Sequence, residues 1–430
     1  MTRIGFAFNL KPESDVERLP RDGEAPRPDE EPPSTRRAIA ARLAAAPSNS
    51  DGAGALLSAT TFGPRRPRPA PSGPSDLAAP DDEFAEWDSE ETVGAVEQAL
   101  GAVGEVIRLE AGPAFPERLR AEGPDIVFNI AEGMGTANRE AHVPAICEFF
   151  GIPYSGSDPL TLSLCLDKSR TKEILSYHGV PTARFVVVAR KEELRDANWE
   201  KRAGRARTRI SKLASLRFPL FAKPLHEGSS KGITERSLVR TPEELEAQVE
   251  FLLERYAQPV LVEEFLPGAE FTCAVLGNDI DARVLPLVGM NFDALPEGAL
   301  PIYGFEAKWL WDRPERPLEI FHCPARIDRV LERRINEVVL SAYRALGCRD
   351  WSRIDVRLDA ARVPNVVEVN PLPGILPDPA DNSCFPKAAR AAGMGYDELI
   401  QTCLRHAAER QGVTLPPVAA SDIVGAAALG

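Results

Sequence analysis

Two strand-like segments, Ser352–Leu358 and Asn365–Asn370, carry the residues best suited to bind a cation, and the short turn between them predicts a hairpin. Side chains alternate between the two faces of a strand, so polar residues at every second position share one face. These residues are Arg353, Asp355, Glu368 and Asn370. Two neighbouring buried carboxylates need a cation, and oxygen ligands suit Mg²⁺. The pattern predicts a magnesium site beside a guanidinium that stabilises developing negative charge; the alternative is an internal salt bridge without an ion.

A buried strand followed by a Gly/Ser-rich turn, Phe218–Gly232, has the composition of a phosphate-binding loop. The strand delivers Lys223, and the turn would expose backbone N–H groups and hydroxyls to phosphate oxygens. The segment is not a Walker A sequence. Taken alone, such a turn more often joins the strands of an ordinary hairpin.

A third segment, Pro259–Thr272, ends an apolar strand in Glu263 and Glu264 and brings Glu270 after a Pro-Gly turn. Backbone groups just past a strand end can hydrogen-bond an adenine edge, and a carboxylate can bind ribose hydroxyls. The same pattern fits an ordinary hairpin with solvated acids. Taken alone, the segment favours the ordinary hairpin.

The elements that must position these residues alternate between strand and helix. Asp88–Glu91 predicts a helix start, and apolar residues at helical spacing follow it, namely Val93, Val96, Leu100 and Val103. Further strands are predicted at Arg3–Leu10, Glu105–Leu109, Asp125–Ile130 and Arg184–Val188, with helices at about 138–150 and 159–178. This alternation predicts a parallel α/β layer in the N-terminal part.

Composition excludes several classes of protein. The chain has 430 residues and a net charge of -13, which disfavours general binding to nucleic acid or an anionic membrane. No apolar run is long enough to cross a membrane, and the N-terminus lacks signal-peptide features. Seven widely spaced cysteines indicate reduced thiols and a cytoplasmic protein. We therefore expect small-molecule substrates, with neither nucleic acid nor a membrane as partner.

Three stretches lie outside this regular pattern. Residues 11–80 hold 13 of the 39 prolines and one aromatic residue, so we predict a disordered insertion at about 11–82. The basic stretch 201–212 has no interleaved aromatic residue and is predicted to be a solvated helix face rather than an RNA-binding helix. The Pro/Ala-rich residues 412–430 are predicted to be a tail.

Taken in chain order, the segments Phe218–Gly232, Pro259–Thr272 and Ser352–Asn370 resemble the ATP-grasp superfamily, and specifically the D-alanine–D-alanine ligase family. The similarity runs from about Asp125 to Leu404, and the blocks that carry it are Ile152–Ser157, Leu166–Lys168, Lys223–Gly232, Glu263–Phe271, Glu306–Lys308, Gly347–Leu358, Glu368–Gly374 and Ala388–Gly393. The resemblance implies an ATP-grasp fold: an N-terminal parallel α/β domain at 1–164, and two α+β lobes at 165–262 and 263–411 that clasp ATP. It also implies a cytoplasmic ligase of peptidoglycan biosynthesis that uses ATP and Mg²⁺ or Mn²⁺, with a homodimer as the oligomer the family allows.

The resemblance assigns roles to residues of this chain. Those expected at ATP are Lys168, Lys223, Glu263, Phe265, Leu266 and Glu270, with Ser229 in the loop over the phosphates. Lys308 is expected to reach the γ-phosphate, and Arg353 with the amide of Gly374 to stabilise the oxyanion. Asp355, Glu368 and Asn370 match magnesium ligands, and Ser383 matches a residue that binds the acceptor carboxylate. The implied reaction forms an acyl phosphate, which an amine then attacks.

Departures from the family pattern concern the amino-acid end. Glu132 stands near a position that is usually histidine, and Trp309 replaces an aromatic residue with a hydroxyl, which removes a hydrogen bond to the serine loop. The insertion displaces the usual N-terminal glutamate, which Glu90 or Glu91 could replace. The stretch Ile375–Asn382 is longer than usual. We therefore expect D-alanine as a substrate and a donor site that tolerates other amino acids.

Two alternatives to this enzyme remain, and one is discarded. The chain could join other amino-acid or peptide substrates, or it could be a non-catalytic ATP-binding scaffold. The intact set of costly charged residues favours catalysis. Cys348-Arg349-Asp350 faintly resembles a kinase catalytic loop, but no other kinase motif accompanies it.

Overall fold

Three β-sheets with helices packed on them make up the part of the chain that the structure describes. The computed structural model describes residues 1–12, 84, 86–195, 213, 215–304, 306–311 and 318–417. Residues 1–11 and 82–430 form one compact unit. Most of the predicted insertion, the basic stretch 201–212 and the chain from residue 418 lie outside the described residues.

The elements of the described residues are named here in chain order. The strands are β1 (Arg3–Phe8), β2 (Glu105–Glu110), β3 (Ile126–Asn129), β4 (Phe185–Val188), β5 (Leu220–Pro224), β6 (Leu238–Val239), β7 (Val260–Glu264), β8 (Glu270–Leu276), β9 (Arg283–Val284), β10 (Val288–Met290), β11 (Phe321–His322), β12 (Trp351–Leu358) and β13 (Pro364–Asn370). The α-helices are α1 (Glu90–Gly101), α2 (Phe115–Glu122), α3 (His142–Phe150), α4 (Pro159–Leu166), α5 (Lys168–Tyr177), α6 (Glu192–Arg195), α7 (Pro242–Tyr256), α8 (Arg329–Ala345), α9 (Cys384–Ala391) and α10 (Tyr396–Gln411).

The N-terminal sheet has the order β2-β1-β3, and its strands are parallel. The apolar stripe of α1 packs on this sheet, since Val93, Val96 and Leu100 are buried in one core with Ile4 and Phe6. Burial of such a stripe, more than helix propensity, stabilises a helix of this length. The predicted parallel α/β layer is confirmed.

Helix α1 begins one residue later than the sequence predicts. Ser89 is the N-cap, and its Oγ accepts a hydrogen bond from the backbone N–H of Thr92 at 3.3 Å. Asp88 instead pairs through its backbone with Asn9 and Lys11, in two hydrogen bonds of 2.9 Å. The chain therefore leaves and re-enters the compact unit at neighbouring points on either side of the predicted insertion.

The single helix predicted over 159–178 is wrong, because the chain forms two helices there. Asp167 separates α4 from α5 with an extended backbone (ψ 95°). Its carboxylate accepts hydrogen bonds from the N–H groups of Ser169 and Arg170 at 2.9 and 3.1 Å, which caps the second helix. The break places Lys168 at the first position of α5.

The central sheet is antiparallel and has the order β4-β7-β5-β6. Helix α7 packs on it and buries Leu245, Val249 and Leu252. Strand β5 carries Lys223 and strand β7 carries Glu263, and the two residues lie on adjacent strands.

The C-terminal sheet has the order β11-β10-β8-β12-β13, and β9 pairs with β8. The predicted hairpin is confirmed as β12 and β13, which pair antiparallel with Arg353 opposite Asn370 and Asp355 opposite Glu368. Helix α8 packs against this sheet through Leu331, Ile335 and Val339. The four polar residues are therefore fixed on two adjacent strands.

The segment Pro259–Thr272 is not a hairpin. Strand β7 belongs to the central sheet and β8 to the C-terminal sheet, so the Pro267-Gly268 turn carries the chain from one sheet to the other. Such a crossing puts Glu263 and Glu270 on two different walls of the space between the sheets.

Helix α10 returns to the N-terminal part of the chain. The Gln401 side chain donates a hydrogen bond of 3.0 Å to the backbone oxygen of Ala99 in α1, and α9 and α10 share a core with the N-terminal sheet. The predicted domain boundaries stay a prediction. Among the described residues, every helix is too short or too polar to cross a bilayer.

Candidate active site

A cavity of about 370 Å³ is lined by residues of the central and C-terminal sheets and by segments that follow strands of the N-terminal sheet, such as Lys11 and Glu132. All of the residues that the sequence assigns to a site contribute to its lining. They are Glu132, Lys168, Lys223, Ser229, Glu263, Phe265, Leu266, Glu270, Lys308, Arg353, Asp355, Glu368, Asn370, Gly374 and Ser383. The cavity wall therefore joins residues that are up to about 250 positions apart in the sequence.

The β12–β13 hairpin forms the wall with the cation-binding residues. Arg353 Nη2 lies 3.1 Å from Asp355 Oδ2, and Lys168 Nζ lies 2.9 Å from Glu368 Oε1. The buried Oδ1 of Asp355 has no hydrogen-bond partner among the described residues. An unpaired buried carboxylate oxygen is costly, and a bound cation would satisfy it. Two carboxylates and the amide oxygen of Asn370 are ligands that Mg²⁺ prefers, so the residues fit this ion.

The two carboxylates of this wall titrate differently. Burial raises the pKa of Asp355 and outweighs the Arg353 guanidinium. Burial also acts on Glu368, but the ammonium groups of Lys168 and Lys223 lower its pKa to about 2. Glu368 is thus held ionised, while Asp355 has an unmet need for positive charge.

Glu263 bridges two buried lysines at the junction of the central sheet and α5. Its Oε1 lies 2.9 Å from Lys223 Nζ, and its Oε2 lies 2.6 Å from Lys172 Nζ. Burial raises the pKa of Glu263, but the two ammonium groups lower it to about 2. Sequence reasoning missed Lys172, although its spacing of four residues from Lys168 in a helix puts both on one face.

Glu270, on β8, pairs with a residue that the sequence analysis did not use. Arg357 Nη1 donates to Glu270 Oε2 at 2.7 Å, and the guanidinium carbon lies 4.7 Å from the centre of the Phe265 ring. Burial raises the pKa of Glu270 and outweighs Arg357. Arg357 continues the period-two series of Arg353 and Asp355, which is the signal that could have found it.

The glycine/serine turn after β5 has an unusual backbone. Ser229 and Ser230 adopt left-handed conformations with φ of 49° and 61°. Gly228 adjoins the Glu86 carboxylate so closely that a Cβ on this residue would overlap with it. A larger residue at this position would displace the Glu86 carboxylate, which packs directly on the turn.

Lys308 lies in a π-helical turn, Glu306–Trp311, that follows the Leu300–Tyr303 segment. Burial lowers the pKa of Lys308 to about 8, and Arg353 adds to this effect. The expected loss of a hydrogen bond from residue 309 to the serine turn stays a prediction, because the Trp309 side chain lies outside the described residues. Among the described residues, Ser230 Oγ donates to the backbone oxygen of Tyr303 at 3.1 Å, which connects the serine turn to this segment.

Glu132 lines the same cavity near Glu86 and Glu140, and it has no hydrogen bond or ion pair among the described residues. Burial raises the pKa of its carboxyl, and the nearby acids Glu140 and Glu86 raise it further. Burial also raises the pKa of Glu140 to about 7. This part of the cavity therefore has more buried acid than the neighbouring cations compensate.

The expected substitute for the displaced N-terminal glutamate, Glu90 or Glu91, is wrong. Glu90 is exposed and pairs with Arg108, and neither residue lines the cavity. Glu86 lines it instead, with its carboxylate 3.0 Å from Arg139 Nη2 and 3.0 Å from Lys231 Nζ. The missed signal is an acid followed by an aromatic residue directly after the Pro-rich stretch.

Ser383 and Gly374 line the cavity beyond the end of β13. Ser383 is buried at the N-cap of α9, and its Oγ accepts from Leu376 N at 3.2 Å and donates to Gly374 O at 3.3 Å. These bonds fix the start of the long Ile375–Asn382 stretch beside the site.

Known proteins resemble this chain over most of its length. Residues 174–405 match the family model described as the C-terminus of D-Ala–D-Ala ligase. A D-alanine–D-alanine ligase of Actinobacillus pleuropneumoniae serotype 5b is 36% identical over 311 residues, 72% of this chain and 90% of the relative. The uncharacterized protein y4sG of Sinorhizobium fredii is 36% identical over 279 residues, 65% of this chain and 73% of the relative.

Solved structures share the fold. A D-alanine–D-alanine ligase from Bacillus anthracis, complexed with ATP, superposes with a TM-score of 0.55 at 22% identity, covering 75% of this chain and 94% of that one. VanG D-Ala:D-Ser ligase from Enterococcus faecalis gives a TM-score of 0.51 at 29% identity, covering 66% and 73%. The predicted ATP-grasp fold is thereby confirmed. With the cavity and its charged walls, the matched family model and the identity to curated ligases, the chain belongs to the D-alanine–D-alanine ligase family.

Proposed function

We propose that this protein is an ATP-dependent, ADP-forming ligase that joins two amino acids, with D-alanine as one of them. The observation that carries the proposal is the arrangement of Arg353, Asp355, Glu368 and Asn370 on paired strands, in a cavity that is also lined by five lysines. Burying so many charges is expensive, and a binding scaffold gains nothing from an unpaired carboxylate at a phosphate site.

The nucleotide lies between the central and C-terminal sheets in this proposal. Lys168 and Lys223 contact its phosphates, and the turn with Ser229 covers them. The end of β7, with Glu263, Phe265 and Leu266, holds adenine, and Glu270 binds the ribose. The Glu263 carboxylate forms ion pairs with two ammonium groups, which leaves Lys223 little freedom to reorient.

Asp355, Glu368 and Asn370 would hold Mg²⁺, for which Mn²⁺ can substitute. When bound, the ion neutralises charge on the transferring phosphoryl group. Lys168 now neutralises Glu368 and is the ammonium group nearest to that carboxylate. It can transfer from the carboxylate to a phosphate oxygen without leaving the cavity.

The reaction has two steps. A carboxylate oxygen of the first amino acid attacks the γ-phosphorus, the bond to the bridging oxygen of ADP breaks, and an acyl phosphate forms. The amine of the second amino acid attacks the acyl carbon, loses a proton, and expels phosphate. Lys308 faces the transferring group, while Arg353 and the Gly374 N–H face the oxyanion that forms in the second step.

The two amino acids occupy opposite ends of this wall. Ser383 binds the acceptor carboxylate. Glu132 lies where it can pair with the donor ammonium, and its lack of a protein partner supports this placement. Glu86, which packs against the turn with Gly228, adds a second carboxylate at the donor end.

Release of ADP across a panel of amino acids tests the proposal. We expect Mg²⁺-dependent release with D-alanine, weaker release with L-alanine, and a dipeptide of the expected mass. The panel includes D-serine as second substrate, because one structural relative is a D-Ala:D-Ser ligase. Ser383→Ala should raise the KM of the acceptor more than that of ATP. ATP binding without ADP release for any member of the panel would favour the scaffold instead.

A further inference from the structure

Arg357 connects three parts of the nucleotide site that are distant in sequence. It is 5% exposed and lies on β12 opposite Glu270 of β8. Besides the bond to Glu270, its Nη2 donates to the backbone oxygen of Pro301 at 2.8 Å. The guanidinium also lies against two rings, Phe265 at 4.7 Å and Phe292 at 5.2 Å. One side chain therefore contacts the β7–β8 crossing, the proposed ribose ligand and the segment before Lys308.

Other contacts also hold the segment Leu300–Tyr303. From the central sheet side, Ser230 Oγ donates to the Tyr303 carbonyl, and the Glu235 carboxylate accepts from Leu300 N at 3.4 Å. From the C-terminal sheet, Arg357 binds the Pro301 carbonyl, and the Phe321 ring of β11 packs on the Tyr303 ring with 5.1 Å between their centres. The segment continues into the π-helical turn, where Lys308 N donates to the Gly304 carbonyl at 3.0 Å. A displacement of the Pro301 carbonyl would therefore act close to the turn that carries Lys308, because only residues 302–305 lie between them.

The guanidinium is arranged to serve a ligand as well as the protein. Its Nη1 and Nη2 are used by a carboxylate and a carbonyl, but its buried Nε has no partner among the described residues. Because Nη1 occupies Glu270 Oε2, the other carboxylate oxygen is the one left for a ribose hydroxyl. Rigid fork geometry of this kind fixes both partners, which a lysine ammonium does not do.

We propose that Arg357 is a positioning residue that couples ribose recognition to the position of the segment that carries Lys308. It orients Glu270 toward the ribose with one nitrogen and holds the Pro301 carbonyl with another. A nucleotide with an intact ribose therefore stabilises the observed position of this segment, and one without ribose hydroxyls does so poorly. The inference rests on the proposed placement of the nucleotide and goes beyond it.

Calorimetric binding of Mg-ADP and Mg-2′,3′-dideoxy-ADP, without amino acids, tests the ribose half. The wild type should bind ADP at least about tenfold more tightly, as expected for a hydrogen bond to a charged group. Arg357→Met should reduce the ratio below about threefold, while Arg357→Lys, which keeps the charge, should retain most of it. Arg334→Met, on the exposed face of α8, is the matched control and should leave the ratio unchanged.

Hydrogen–deuterium exchange of residues 299–311 in the same proteins tests whether Arg357 holds the segment that carries Lys308. ADP should slow exchange in the wild type and in Arg334→Met. It should fail to do so in Arg357→Met, and also in Arg357→Lys, because a single ammonium cannot bind the carboxylate and the carbonyl together. The lysine variant thus separates the two functions, and it keeps the test valid if the methionine variant does not fold.

Two results would overturn the proposal. One is an ADP-to-dideoxy-ADP ratio that is the same in all four proteins, since Arg357 would then only fill space. The other is normal protection of residues 299–311 in both Arg357 variants. Neither measurement uses amino acids, so a protein that binds ADP as described but joins no amino acids would refute the ligase proposal alone.

Discussion

The nucleotide end and the amino-acid end of the cavity neutralise their charges in different ways. At the proposed nucleotide end Glu263 has two lysines as partners, Glu270 has Arg357 and Glu368 has Lys168. At the proposed amino-acid end Glu86 pairs with Arg139 and Lys231, whereas Glu132 has no ion pair or hydrogen bond within the described residues. Burial raises the pKa of Glu132, whereas lysine partners lower the pKa of Glu263 and Glu368 to about 2.

The difference indicates that one end is suited to a negatively charged ligand and the other to a positively charged one. Lysines held by carboxylates are preorganised for phosphate, and the protein has met most of their desolvation cost on folding. Arg139 favours the ionised form of Glu132 but does not outweigh its burial, so a ligand with a positive charge would stabilise this carboxylate further. An amino acid with a free ammonium group is such a ligand, and under the proposed function it completes the donor end, as a bound cation would complete the site at Asp355.

Removal of a metal-ligand charge should have the largest effect, because it breaks the nucleotide end. Asp355→Asn and Glu368→Gln should each lower kcat by roughly a thousandfold or more, about 4 kcal/mol of barrier. Initial rates of ADP release with saturating D-alanine and Mg²⁺ measure this. Glu332→Gln, on the exposed face of α8, is the control. If both site variants kept near-normal rates with unchanged melting temperatures, the ion would bind elsewhere.

Deprotonation of Lys308 at high pH should have the next largest effect on the rate. Its pKa is lowered to about 8 in the protein without nucleotide, and only the ammonium form attracts the γ-phosphate. The kcat/KM for ATP, which reports on the free enzyme, should therefore fall as pH rises above about 8, approaching tenfold per pH unit. Lys308→Arg should remove this decline, since a guanidinium stays protonated. An unchanged decline in that variant would assign it to another group.

Glu132→His should change the proposed amino-acid end and leave the nucleotide end as it is. We expect a shift of roughly threefold to tenfold in the relative kcat/KM of alternative donors, because a lost carboxylate weakens binding of the donor ammonium. The KM for ATP should stay nearly unchanged. Competition between pairs of donor amino acids, resolved by mass spectrometry of the dipeptides, measures the shift. A changed ATP affinity with the same donor profile would place Glu132 outside the donor site.

Replacement of residues 13–81 by a short linker should have the smallest effect. The composition of this stretch cannot form a core, and Lys11 and Asp88 on either side of it are hydrogen-bonded at 2.9 Å. Nucleotide affinity and melting temperature should match those of the full chain in calorimetry, provided that Glu86 is retained. In the full chain, limited proteolysis should cut this stretch first. Loss of nucleotide binding in the deletion variant would contradict the prediction.

The sequence predicts the nucleotide end better than the amino-acid end, and the reason is physical. Period-two alternation in one hairpin determines which of its side chains share a face, so Arg353, Asp355, Glu368 and Asn370 follow from local pattern alone. Glu86 reaches the cavity through the path of the chain after the insertion, and no local period encodes that path. For the same reason Glu90 is a plausible candidate in the sequence and an exposed partner of Arg108 in the structure.

Transfer of oxygen from the donor to phosphate tests the central claim most directly. D-alanine labelled with ¹⁸O in its carboxylate is supplied with ATP and Mg²⁺, and the released phosphate is analysed by mass spectrometry. An acyl-phosphate ligase must place one labelled oxygen in phosphate for each dipeptide formed, because the attacking carboxylate oxygen leaves with phosphorus. Release of phosphate without the label, or release of ADP without formation of a dipeptide, would contradict the proposed acyl-phosphate reaction.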